Sequence, residues 1–159
     1  MLARALEGAQ APRPATVGLI LTDDREMADL NERALGHSGP TDVLSFPLLP
    51  VDAFPGHRGQ DSDARARSGG SMPGFVLPPG QRVHLGEIVV SVERAVEQAE
   101  QGRGGQGGDI AWSPRDEMRL LVTHGALHLC GWDHAEPDEG AAMRALERDL
   151  LDGFAHQRR

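Results

Sequence analysis

His124-Gly125-Ala126-Leu127-His128-Leu129-Cys130-Gly131-Trp132-Asp133-His134 is the most informative segment of this 159-residue chain. His124 and His128 are four residues apart, so on a helix they lie on one face, a single turn from each other. Gly131 follows three residues after the second histidine, where helices commonly end in a left-handed turn. Such a turn would reverse the chain and bring His134 to the same point. Three converging imidazoles predict a site for one zinc ion with an open fourth position, which is typical of hydrolases.

This segment has two alternative interpretations besides a hydrolytic zinc site. Two histidines four apart are, taken alone, more often surface or core residues than ligands. The spacing His-x3-His-x5-His with its glycine is that of the metzincin proteases, which carry a glutamate as general base directly after the first histidine. Gly125 occupies that position, which disfavours a peptidase. Cys130 lies about 200° around a helix from His128 and is predicted to pack, because it points away from the metal.

Composition limits the class of protein. A length of 159 residues fits a single domain over residues 1–159. The net charge of −8 argues against a sequence-independent nucleic-acid binder, although all sixteen basic residues are arginine and a local basic cleft could bind phosphate. The single cysteine excludes an internal disulfide framework and fits a reducing cytoplasm. No apolar run is long enough for a membrane span and no leader opens the chain, so we expect a cytoplasmic protein without a membrane partner.

Apolar patterning and capping residues predict three strands, within 15–21, 42–46 and 83–91. They also predict a short helix over 2–8 and four longer helices, which end near Leu35, run over 92–101, begin at Ser113 and begin near Pro137. Segments near 50–82 and 102–109 are rich in glycine and polar residues and are predicted to be flexible loops. Arg58, Arg65 and Arg67 of the first loop could touch RNA, although a solvated tip is the expected role.

Several separated motifs resemble the YbeY family of bacterial metal-dependent endoribonucleases. The segment from His124 to His134 matches the family pattern His-Gly-x-Leu-His-Leu-x-Gly-x-Asp-His at every fixed position. Pro-Thr-Asp-Val-Leu-Ser-Phe-Pro at 40–47 and Leu-Gly-Glu-Ile-Val-Val-Ser at 85–91 also look like family signatures. The last helix, with Met143 and Glu147, is similar again. The matches span residues 30–150 apart from the two loops.

The resemblance implies an α+β fold, with a small mixed sheet of three or four strands and about four helices. It implies that His124, His128 and His134 hold zinc on the helix before the C-terminal helix. It further implies cleavage of single-stranded RNA, maturation of small-subunit ribosomal RNA and association with the small ribosomal subunit.

The chain departs from the family at two points. Members usually begin with an additional strand and a full helix, so we expect three strands here unless the true start lies upstream. Many members also carry an arginine five residues before the Pro-Thr pair, near the metal, and that position is Leu35. A cation there would stabilise charge that develops on the phosphate. Either another arginine reaches the site or the metal carries that role alone.

The residues leave several roles open. Asp133 could orient a histidine or take a proton, and a turn-stabilising or metal-supporting role is favoured. Glu87 and Asp42 could edge the cleft or be structural, so no catalytic residue is assigned. The alternative function is a non-catalytic ribosome-assembly factor that binds ribosomal RNA and in which zinc is structural, and a fourth ligand such as Cys130 would favour it. Oligomeric state, cleavage position and the metal loaded in the cell are not specified by the sequence.

Overall fold

The computed structural model describes residues 1–60, 81–102 and 112–155, with side chains to residue 152. Its elements in chain order are α1 (Leu2–Gly8), β1 (Ala15–Thr22), α2 (Asp24–Leu35), β2 (Val43–Pro47), a 3-10 turn (Val51–Ala53), β3 (Val83–Ser91), α3 (Val92–Glu100), α4 (Pro114–Leu129) and α5 (Pro137–Ala155). These five helices and three strands confirm the predicted α+β fold. Most of the two predicted loops, including Arg65 and Arg67, lies outside the described residues.

The three strands form one mixed sheet in the order β1-β3-β2. The central strand β3 runs parallel to β1, from the pair Ala15–Val83 to the pair Thr22–Ser91. It runs antiparallel to β2, so that Ser45 is paired with Ile88. A central strand is covered on both faces, which explains the nearly continuous apolar run of β3.

The two faces of the sheet bury different side chains. Successive residues of a strand point to opposite faces, so Ile88 and Val90 enter the larger core, whereas Val89 enters a smaller one. The smaller core is covered by α2 through Met27, which is fully buried. The larger core contains much of α4, which packs against both β2 and β3. Within the described residues, no helix is both long and apolar enough to cross a bilayer.

Gly125 sets how closely α4 approaches the sheet. A Cβ at this position would lie 2.7 Å from Cγ2 of Ile88 and 3.1 Å from Oγ of Ser45. The same Ser45 hydroxyl donates a hydrogen bond of 3.1 Å to the carbonyl oxygen of Gly125. The glycine is therefore required by a close contact between helix and strand. This contact places the C-terminal half of α4 directly against β2, which is the strand that edges the site.

Candidate metal centre

The end of α4 turns the chain as the sequence predicts. The N–H of Gly131 donates to the carbonyl of His128, and the N–H of Trp132 donates to the carbonyl of Leu127. Gly131 has a φ of +83°, in the left-handed region that favours glycine. This is the Schellman pattern of a helix C-terminus, and it reverses the chain within three residues. His134 is thereby brought back towards the helix that it follows.

The three histidines converge, which confirms the geometric prediction. One ring nitrogen from each of His124, His128 and His134 lies within 4.8 Å of the others, so the three could hold a metal ion. The Nε2 atoms of His124 and His128 are 3.0 Å apart. Ring centroids are separated by 4.6, 5.1 and 5.7 Å. His124 and His128 are half-buried and His134 is exposed, so the cluster is open to solvent on one side.

Glu147 on α5 orients the first histidine. Its Oε1 lies 2.6 Å from Nδ1 of His124, and its side chain is only 9% exposed. A carboxylate in this position accepts the Nδ1–H proton and leaves the lone pair of Nε2 free to bind a metal. From the sequence, Glu147 was recognisable only as part of a family motif, without a role. An acid set among the apolar residues of the last helix was the available signal.

His128 is held in the uncharged form that metal binding requires. Burial, and after it the neighbouring charges of His124 and His134, lower its pKa from 6.5 to about 4. A hydrogen bond to the backbone of Trp132 and the charge of Asp133 oppose this shift only in part. At neutral pH the imidazole is therefore neutral and needs to lose no proton before it binds a cation.

Asp133 and Cys130 have structural roles in the described residues. The Asp133 carboxylate accepts the backbone N–H of His134 at 2.7 Å, which is the favoured turn-stabilising role. Cys130 is buried in the core, and burial raises the pKa of its thiol to about 12. A protonated core thiol is a poor metal ligand. No fourth metal-binding side chain joins the three histidines within the part of the chain that the structure describes.

The two further carboxylates named from the sequence are placed differently. Asp42 edges a cleft of about 700 Å³ that also contains the three histidines. Its oxygens accept the backbone N–H of Val43 at 2.7 Å and the side-chain amide of Gln98 at 3.0 Å, so it is held in place. Glu87 is not among the residues that line this cleft, and it bonds His84 on its own strand at 2.8 Å.

Comparisons with known proteins give the family. The family model "Endoribonuclease YbeY" matches residues 1–155. The chain belongs to the YbeY family. Curated relatives named Endoribonuclease YbeY include one from Thermobifida fusca, 40% identical over 96% of this chain and 81% of its own length. Others come from Symbiobacterium thermophilum, 36% identical over 98% and 83%, and from Clavibacter michiganensis, 34% identical over 98% and 83%.

A second buried cluster, which was not predicted from the sequence, lies behind the turn that follows α4 in this YbeY-family chain. Nε2 of His57 lies 2.6 Å from Oε1 of Glu139, and the two side chains are 9% and 6% exposed. The His57 ring stacks on Trp132 with centroids 3.9 Å apart. Glu139 also accepts the backbone N–H of Asp133 at 3.0 Å. His57 and Glu139 therefore hold the turn that carries His134 in place.

Leu35 occupies the position at which the family resemblance leads us to expect an arginine. Its side chain is 57% exposed and lines the same cleft as the three histidines, between the end of α2 and β2. An apolar side chain supplies no charge to a phosphate. His37 lines the same end of the cleft, and the described lining residues there include no arginine.

Proposed function

We propose that the chain is a metal-dependent endoribonuclease that hydrolyses single-stranded RNA, with one zinc ion bound by His124, His128 and His134. The observation that carries the proposal is the convergence of three imidazole nitrogens within 4.8 Å at the wall of an open cleft of about 700 Å³. The chain belongs to a family whose members are named endoribonucleases, and this supports RNA as the substrate. No membrane or peptide substrate is part of the proposal.

The donor set suits a divalent ion of zinc type. Neutral imidazoles are good ligands for zinc, and three protein ligands leave a position free. When bound, such an ion activates water and polarises the phosphoryl group of the scissile bond. The chain's own residues prepare this chemistry. Glu147 fixes the ring of His124, and burial keeps His128 uncharged.

The cleft supports an extended substrate. Its walls come from the end of α2, from β2 and from the turn after α4, so a strand of RNA could pass over the histidines. Asp42 is held by backbone and amide donors, which favours a role in shaping the cleft wall rather than in moving a proton. Small-subunit ribosomal RNA as substrate, association with the small ribosomal subunit and a cytoplasmic location complete the proposal, and they rest on the family resemblance.

The rival is an assembly factor that holds RNA around a structural zinc ion. Structural zinc sites usually have four protein ligands. Burial of Cys130 in the core removes the one fourth ligand that the sequence offered. The cleft beside the histidines also favours an open site over a sealed one. A peptidase is disfavoured, because the position of its general base is Gly125, which is packed against the sheet.

The test uses untagged protein, since a histidine tag would itself bind zinc. Wild type should contain one zinc per chain by elemental analysis and should cleave a single-stranded RNA, but not casein. His128→Ala should lose both the zinc and the RNA cleavage. His84→Ala, which removes an imidazole away from the cleft, should keep both. Cleavage by metal-free wild type, or by His128→Ala, would defeat the proposed function; zinc retention without cleavage would favour the assembly factor.

A further inference from the structure

Arg144 lies on α5 with its side chain at the metal centre. It lines a cavity of about 230 Å³ together with His124 and His134. Its Nη1 and the Cβ of His134 both lie 3.3 Å from the point that a Cβ on Gly140 would occupy. Because Gly140 has no side chain, the guanidinium can lie directly beside the third histidine. No motif in the sequence points to a role for Arg144.

The positive charge of Arg144 is available to a ligand. Within residues 1–60, 81–102 and 112–152, Arg144 forms no hydrogen bond or ion pair, whereas Arg94 and Arg119 are each held by an acid. In the same described ranges it is the only arginine that lines either cavity containing His124 and His134. A guanidinium with free donors is well suited to bidentate binding of a phosphate.

The carboxylates of this cavity are already engaged by other donors. Asp42 accepts the N–H of Val43, and Glu147 pairs with His124. Glu117 accepts the indole N–H of Trp112 and is fully buried. None of these acids is paired with Arg144, although all line the same space. The cavity therefore presents a free cation next to the proposed metal ligands.

We propose that Arg144 binds the scissile phosphate of the RNA and stabilises the negative charge that develops on it during hydrolysis. This inference rests on the proposed function. It places the cation that neutralises phosphate charge on α5, in the smaller cavity that shares His124 and His134 with the cleft, and not at the end of α2, where Leu35 cannot supply one. Arg144 forms and breaks no covalent bond in this role. Its guanidinium donates hydrogen bonds to non-bridging phosphate oxygens.

The variants distinguish the effect of the charge of Arg144 from the effects of its position on the helix and of any change in folding. Arg144→Gln removes the charge and Arg144→Lys keeps it without the bidentate fork. Arg148→Gln is the matched control, because Arg148 is exposed one turn further along the same helix and does not line the cavity. Two quantities are measured: the rate of single-stranded RNA cleavage by zinc-loaded protein, and the salt dependence of RNA binding by metal-free protein. Zinc content and thermal unfolding are recorded for all variants.

Arg144→Gln should lower the cleavage rate by about 10²- to 10³-fold. It should also reduce the slope of log affinity against log salt by about 0.7, the loss of one phosphate contact with a single strand. Arg144→Lys should recover part of both, and Arg148→Gln should resemble wild type. Unchanged cleavage and slope in Arg144→Gln, an equal loss in Arg148→Gln, or wild-type protein that does not bind RNA at low salt would overturn the inference. Altered binding by Arg144→Gln with no cleavage by any variant would keep the phosphate site and reject the proposed function.

Discussion

Replacing Glu147 tests how much the orientation of His124 contributes to the proposed metal site. Oε1 of Glu147 lies 2.6 Å from Nδ1 of His124, and the two side chains are 9% and 28% exposed. The contact is therefore shielded from solvent, and water cannot take the place of the carboxylate without cost. Glu147→Ala removes both the charge and the hydrogen-bond acceptor. Glu147→Gln keeps a neutral oxygen that can accept the same Nδ1–H proton.

The expected loss follows from what this partner does to the ring. A carboxylate behind a metal-binding histidine fixes its tautomer and raises the basicity of the coordinating nitrogen, and its removal typically costs 10- to 100-fold in metal affinity. We expect Glu147→Ala to lie near the upper figure, about 3 kcal/mol, because orientation and charge are both lost. Glu147→Gln should lie near the lower figure, about 1.4 kcal/mol, because only the charge is lost.

The assay is a zinc competition titration against a chromophoric chelator at neutral pH, with untagged protein. Asp149→Asn is the matched control, since Asp149 is an exposed acid on the same helix two residues further along. It should bind zinc as wild type does. Wild-type affinity in Glu147→Ala, or an equal loss in Asp149→Asn, would refute the view that this carboxylate supports the metal ligand.

Three further predictions concern stability and can be checked by urea denaturation of metal-free protein. Gly125→Ala should lower the free energy of unfolding by about 1–3 kcal/mol, because its Cβ would lie 2.7 Å from Cγ2 of Ile88; stability equal to wild type would contradict this close contact. His57→Ala should cost about 2–3 kcal/mol, because it leaves the buried Glu139 carboxylate with fewer partners; a negligible cost would mean that the cluster does not hold the turn. His128 has a folded pKa of about 4, below its unfolded value of 6.5, so its contribution is fully present above pH 6.5 and is lost as pH falls through 4. The unfolding free energy of wild type should therefore fall more steeply with acid than that of His128→Gln, and parallel curves would contradict the burial of a neutral imidazole.

The elements that sequence alone predicted are those with strong local signals. The strands β1 and β3 are short apolar runs bounded by breaking residues, and α4 is capped by Ser113, whose hydroxyl accepts the N–H of Asp116. Gly131 was recognisable because few other residues adopt its backbone conformation. These signals depend on neighbouring residues only. The three-histidine cluster was predictable for the same reason, since helix geometry and one turn place all three rings.

The supporting residues of the site were not predictable, because they depend on contacts between distant segments. Glu147 lies 23 residues from His124, and His57 lies 82 residues from Glu139. Asn31 on α2 is a further case, since a polar side chain is not expected in a core from the sequence alone. It is nevertheless buried, because its amide donates to the carbonyl of Gly39 at 2.8 Å. A polar residue is buried when a partner satisfies it, and that partner is set by the tertiary fold.

Gly125 links the packing of α4 to the kind of chemistry that the centre can support. In a metzincin the residue after the first histidine is a glutamate that acts on the metal-activated water. Here that position faces Ile88 and Ser45 at distances too short for a side chain, so a carboxylate there would be driven into the sheet instead of the cleft. The histidine spacing of a metzincin is therefore kept here without a glutamate at the position of the general base. In the function that we propose, the substrate is a phosphodiester that carries its own negative charge. The cation that we propose at Arg144 would stabilise that charge, and this role needs no base at position 125. The close packing of helix on sheet thus leaves an otherwise similar set of histidines without the general base that a metzincin peptidase uses.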